Sequence, residues 1–175
     1  MVETHAFGNF VPVNARYMIL GSFTGRQAVK GTSATDGNYD WFYGTKRNQF
    51  WSILKGVYDA KFRDIREKQE LFTKLGIAMA DIIYQCQRKH GNNLDNNLIN
   101  IVYNKAIIEI LDNNPIENVF FTSKLAEKKF KKVFRQVIDN HPSIQYMTLP
   151  SPSLRYAKMS KEQKIQCYKE LLPKL

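Results

Sequence analysis

Tyr17-Met18-Ile19-Leu20-Gly21-Ser22-Phe23-Thr24-Gly25 is the stretch from which the rest of this 175-residue chain is read. Residues 16 to 22 form an apolar run of strand length, and the Gly-x-x-x-Gly turn that follows brings backbone N–H groups to the strand's carboxyl end. Open α/β folds bind ligands there. No Gly-Lys-Ser/Thr follows, so the turn is not a P-loop.

An aromatic-rich stretch, Trp41-Phe42-Tyr43-Gly44-Thr45-Lys46-Arg47-Asn48-Gln49-Phe50-Trp51, comes next. Phe50 and Trp51 recur with Leu54, Val57 and Tyr58 at helical spacing, which predicts a helix over 48–59 with Asn48 as its N-cap and those two rings in the core. Phe42 and Tyr43 stand in polar sequence before a glycine, as a stacking surface would. Tyr43 in particular is a ring on which a flat base could stack.

Further along, a helix over 64–75 stops at Gly76, a C-cap residue. Residues 77–83 read as a second strand, with Asp81 near its end. An Asn-rich stretch over 91–97 leads into a long helix over 95–112, which Pro115 helps to stop. Residues 116–122 read as a third strand, Ser123 as the N-cap of a basic helix to about 138, and 144–149 as a fourth strand. Ser160 and Gln163 have the form of a capping box opening the last helix. Alternating strands and helices imply a single three-layer α/β/α domain over 1–175 with a central, mostly parallel four-stranded sheet. Thr24 to Arg47 exceeds usual loop lengths, which points to a functional or ligand-ordered loop.

The chain carries 26 Lys and Arg against 16 Asp and Glu, a net charge of +10. That excess favours a polyanionic partner. Lys128, Lys129, Lys131, Lys132 and Arg135 read first as a solvated helix face, with phosphate contact as the alternative. No apolar run approaches the ~20 residues of a membrane helix, and Met1 to His5 lack the features of a signal peptide, so a soluble, cytoplasmic protein without a membrane partner is expected; a monomer is the expected state, although no residue pattern speaks to it. Cys86 and Cys167 form no disulfide framework and no Cys-x-x-Cys pair. Cys86 and His90 supply only two ligands, so no metal site is expected, and no cofactor.

These segments, in this order, resemble the uracil-DNA glycosylase superfamily, most closely its deoxyinosine (hypoxanthine) DNA glycosylase branch. The likeness rests on His5-Ala6-Phe7, Val11-Pro12-Val13, Ile19-Leu20-Gly21-Ser22-Phe23, Phe42-Tyr43-Gly44, Arg47-Asn48-Gln49-Phe50-Trp51, and Ala80-Asp81-Ile82-Ile83 with Cys86. The resemblance implies a monofunctional glycosylase that flips a deaminated base, hypoxanthine or uracil, out of DNA and hydrolyses its N-glycosidic bond. It implies Asn48 as the catalytic residue and Tyr43 as the ring stacked on the base. Base-edge contacts are expected from the backbone of Gly21, Ser22 and Phe23, and Asp81 either lines the pocket or is an ordinary strand-end carboxylate. Ser151, Ser153, Leu154 and Arg155 match the motif that pinches the DNA backbone and fills the gap left by the flipped nucleotide.

Phe23 stands where relatives place Asp or Asn, so the turn holds no side-chain base. The chain departs from the branch at Thr24 and at Thr45-Lys46, where the branch has Pro and His-Pro. The alternative is a catalytically altered nucleic-acid binding module of the same fold. His141-Pro142-Ser143 looks like the His-Pro-Ser motif of the uracil-specific family but precedes the fourth strand, and is read as a decoy.

Overall fold

A computed structural model describes residues 1–24, 40–90 and 94–175. Most of the long loop predicted over 24–47 lies outside the described residues, as do Gly25 and the first part of the Asn-rich stretch. The chain divides into two compact units, Met1–Thr24 with Gly76–Thr148, and Gly25–Leu75 with Leu149–Leu175.

The first unit holds the sheets. Strands β2 (Tyr17–Gly21), β3 (Ile77–Asp81), β6 (Asn118–Phe121) and β7 (Gln145–Thr148) form a four-stranded sheet in the order β3-β2-β6-β7. Each adjacent pair is parallel, with Tyr17 opposite Ile77 and Asn118, and Asn118 opposite Gln145. All five residues of β3 are buried, as the near-continuous apolar runs of parallel strands require. On one face, Met18, Leu20, Ala78, Ala80, Val119 and Phe121 pack with Ile107, Ile110, Ala126 and Phe130 from helices α3 (Ala106–Asn113) and α4 (Lys124–Val133).

Ser123 caps α4, its side chain accepting a hydrogen bond from the Ala126 N–H. The basic helix is shorter than its sequence suggests. It ends at Phe134 and resumes as α5 (Arg135–Asn140). His141 follows α5 and bonds Asp112 at 2.8 Å, before the fourth parallel strand rather than after it.

The predicted helix over 95–112 is a correction. Asp95–Asn97 is a single 3-10 turn, β5 spans Leu98–Tyr103, and only α3 is helical. Ile99, Ile101 and Val102 are β-branched, and a partner strand is at hand, so strand packing overrides the helical pattern. That partner is β4 (Ile83–Arg88), which also pairs with β1 (Val2–Thr4), giving an antiparallel sheet β1-β4-β5 that the sequence reading lacked. Its β4–β5 register shifts twice, and Asn100 has a φ of 50°.

The second unit is helical. Helices α1 (Phe50–Tyr58), α2 (Ile65–Leu75) and α6 (Lys161–Leu171) enclose an aromatic core. Trp41 and Trp51 stack at 5.6 Å, Phe50 and Phe72 meet them edge-on or tilted, and the Trp51 indole N–H donates to the Phe42 carbonyl at 2.7 Å. Helix α1 lies against α6 at Gly56, where an added Cβ would come within 2.6 Å of Ile165. Ser160 and Gln163 form the predicted capping box of α6.

Two local readings change here. The N-cap of α1 is Gln49, not Asn48. Phe42 is core rather than stacking surface, 1% exposed, because its carbonyl and ring are both committed to Trp51 and Trp41.

Candidate functional site

In the first unit, the candidate residues gather at the carboxyl ends of β2 and β3. The turn after β2 is held by its carbonyls: Gly21 accepts from the Ile82 N–H and Ser22 from the Ile83 N–H, each at 3.0 Å. The N–H groups of Ser22 and Phe23 have no partner among the described residues. Backbone donors at this end of a parallel sheet suit a polar ligand edge.

Asp81 ends β3, 4% exposed. Its carboxylate bonds the His5 Nε2 at 2.9 Å, and both side chains are 4% exposed. The His5 Nδ1 accepts from the Phe7 N–H, which assigns the proton to Nε2 and makes that nitrogen the donor to Asp81. A buried carboxylate needs such a partner, since leaving it unpaired is strongly unfavourable. The His5 ring also meets Phe23 edge-on at 5.9 Å, and the Arg88 guanidinium lies over Phe23 at 5.4 Å. Arg88 in turn bonds Glu3 and the Thr24 carbonyl. Phe23 is thus a packed ring beneath the turn. Burial pushes the Asp95 carboxyl above its ordinary range, opposed by a hydrogen bond with the Ser22 side chain.

In the second unit, Tyr43 and Asn48 line one cavity of about 400 Å³ together with Gly44, Thr45, Trp51 and the Lys68–Asp40 ion pair. Tyr43 has a φ of 58°, an uncommon conformation for a bulky residue, and its ring lies 4.3 Å from that of Phe50. Strain of this kind concentrates where a side chain must be aimed. The Asn48 Oδ1 accepts from the Phe50 N–H at 2.9 Å, the first helical amide. Its amide nitrogen has no hydrogen bond among the described residues. Asn48 therefore caps one position early and keeps its donor end available.

Asn48 is also bridged to the loop 151–155. Asn48 and Ser153 form an antiparallel β-bridge, flanked by Gln49 N–H to the Pro152 carbonyl at 2.7 Å and Leu154 N–H to the Arg47 carbonyl at 3.0 Å. Within the loop, the Ser151 Oγ accepts from the Ser153 N–H and the Ser153 Oγ from the Arg155 N–H. The two hydroxyls thus shape the loop. Leu154 is 53% exposed and Arg155 is also exposed.

The structure brings Tyr43, Asn48 and the 151–155 loop together in one unit, and Gly21, Ser22, Phe23 and Asp81 in the other. Two side chains were not picked out from sequence as site residues. His5 entered only as part of a resemblance, and its signal was the His-Ala-Phe motif itself. Lys164 gave no signal: it is one of several lysines in a polar helix.

No protein-family model matches the chain, and no curated protein matches it. Among solved structures, the solution NMR structure of a "putative Uracil DNA glycosylase" from Methanosarcina acetivorans superposes with a TM-score of 0.66 over 98% of this chain and 99% of that one, at 17% sequence identity. The chain shares that protein's fold: an α/β architecture with a four-stranded parallel sheet and helices. Among the described residues no helix is long and apolar enough to cross a membrane.

Proposed function

We propose that this protein is a monofunctional DNA glycosylase, acting on deaminated bases, hypoxanthine or uracil, in DNA. The observation that carries the reading is the cavity shared by Tyr43 and Asn48, with Asn48 bridged to the loop bearing Leu154 and Arg155. The fold likeness supports it.

A glycosylase must extrude its nucleotide, because the C1'–N bond is shielded in the duplex, and the extrusion costs less at a mispair. On this reading Tyr43 stacks on the extruded base, at about 1–3 kcal/mol per stacked ring. Its strained backbone aims the ring, and Phe50 supports it from behind. The Asn48 amide N–H₂ donates to the leaving base or the attacking water, while its oxygen stays anchored on the helix N-terminus. In the first unit, the N–H groups of Ser22 and Phe23 after Gly21 are donors for a polar ligand edge, and Asp81, its carboxylate oriented by His5, is an acceptor for a polar group or a water. With Phe23 packed and no carboxylate in that turn, the reaction rests on orienting and electrostatic groups rather than on a strong base.

Ser151 and Ser153 shape a loop whose exposed Leu154 fills the gap left by the nucleotide while Arg155 meets phosphate. DNA is the partner, met by a chain of net charge +10.

The test is incubation of the protein with labelled single- and double-stranded oligonucleotides, each carrying one deoxyinosine or one deoxyuridine, and detection of alkali-labile abasic sites. Base release is expected, and Asn48→Ala is expected to reduce it by about 100-fold or more, the scale for losing one oriented donor, with DNA affinity nearly intact. Release unchanged in that variant removes Asn48 from the mechanism. Salt-sensitive DNA binding with no release from any substrate makes the chain a binding module of this fold.

A further inference from the structure

Lys164 is 1% exposed in the first turn of α6, and the structure gives it no carboxylate partner among the described residues. Its ammonium donates to the Gln49 Oε1 at 3.0 Å and to the Ser153 carbonyl at 3.2 Å, with the Tyr156 ring 5.4 Å away. Burial pushes its pKa down. A buried ammonium is costly to keep, and a neutral amide could bridge two oxygens without that cost.

The two oxygens are not arbitrary. Gln49 adjoins Asn48, and Ser153 is the residue bridged to Asn48. One turn further along the same helix face, the Tyr168 hydroxyl, fully buried, donates to the Pro150 carbonyl at 2.9 Å. Helix α6 therefore grips the loop at two points, Pro150 through Tyr168 and Ser153 through Lys164. Of the two, Lys164 also hydrogen-bonds the Asn48 segment, through Gln49, whereas the Tyr168 ring meets Phe50 edge-on, a contact that Tyr168→Phe keeps.

We propose that Lys164 is a positioning residue that locks the Asn48 segment and the 151–155 loop in one register, so that seating of Leu154 and Arg155 on DNA is transmitted to the Asn48 amide. The consequence for base release rests on the glycosylase reading; the lock between the two segments does not.

The experiment compares wild type with Lys164→Met, Lys164→Arg, Gln49→Leu and Tyr168→Phe. Amide hydrogen exchange is read at Gln49 and Leu154, whose N–H groups span the two segments. Single-turnover base release and affinity are read on the deoxyinosine and deoxyuridine duplexes, with affinity for an undamaged duplex alongside. Lys164→Met is expected to lower protection of both amides by about tenfold, the scale of one lost hydrogen bond to a charged group, and to slow base release by about as much. Affinity for undamaged duplex should stay within about twofold of wild type. Lys164→Arg should recover part of both effects. Tyr168→Phe removes a comparably buried hydrogen bond and should leave Gln49 protected and base release near wild type.

Unchanged protection in Lys164→Met overturns the proposal, as does base release lost equally in Tyr168→Phe, which would show a merely structural loosening. Should Lys164→Met fail to fold, Gln49→Leu removes one arm of the lock, and full protection at Leu154 in that variant also overturns it. A wild type that releases no base, with protection nevertheless lost in Lys164→Met, sinks the glycosylase reading and leaves the lock standing.

Discussion

The two groups of candidate residues, one in each unit, are built in opposite ways. In the first unit, Asp81 is held by a buried side-chain pair with His5, at a strand end whose position follows from the apolar runs of β2 and β3. In the second, Asn48 is held by backbone: a β-bridge to Ser153 and the first amide of α1. A buried carboxylate fails sharply when its hydrogen-bond donor goes, because its charge is left with neither solvent nor donor. A backbone bridge survives most changes of the bridged side chains themselves and loosens by degrees when a side chain that joins its two segments, such as Lys164, is removed. The first region should therefore be brittle in stability, and the second adjustable in function.

The largest effect should come from His5→Ala, which strands the Asp81 carboxylate in the interior and is expected to cost about 3 kcal/mol of unfolding free energy. Denaturant titration measures it, and Asp81→Ala added to His5→Ala should recover part of the loss. If the double variant is as unstable as the sum of the singles, the two groups do not act as a pair. Next comes Tyr43→Ala, for which a drop in affinity for a duplex bearing a deaminated base of about 1–3 kcal/mol is expected. Affinity for undamaged duplex should hardly change. Equal losses on both duplexes would assign Tyr43 to general DNA contact rather than base stacking.

Ser160→Ala tests the frame beneath the Asn48 bridge. Removing the cap of α6 should lower stability by about 1 kcal/mol, seen in thermal melts, with base release kept; a large loss of release would tie the helix terminus itself to function. The smallest effect is a pH dependence. Burial raises the Asp95 carboxyl above its ordinary value of 3.8 in the folded state, so the folded chain binds that proton more tightly than the unfolded one. Stability from this group is complete below the ordinary value and is lost as pH rises through the raised one. Asp95→Asn should flatten that slope. Melts of wild type and variant across the acidic range with the same slope would remove Asp95 as its source.

Much of this was readable before any fold was known. β2, α1, the Gly76 stop, β6 with its Ser123 cap, β7 and the Ser160 capping box are announced by local periodicity and by capping chemistry, which act over a few residues. The failures fall where distant contacts decide. Leu98 to Tyr103 read as helix until β4 offered it an edge to pair with. Phe42 read as a stacking ring until Trp51 claimed its carbonyl. Asn48 read as the N-cap, and the helix begins one residue later because its oxygen reaches the Phe50 N–H from outside.

The sequence by itself determined the alternation of apolar strands and amphipathic helices, hence a parallel α/β sheet, and it put a glycine turn at the end of β2. Those follow from how each residue's side chain and backbone partition locally between water and core. Only the tertiary structure decided that His5 meets Asp81, 76 residues away, and that Lys164 joins Gln49 to Ser153, 115 residues from one and 11 from the other. A buried polar group is set by whatever oxygen the fold delivers to it, and no spacing in the chain records that delivery.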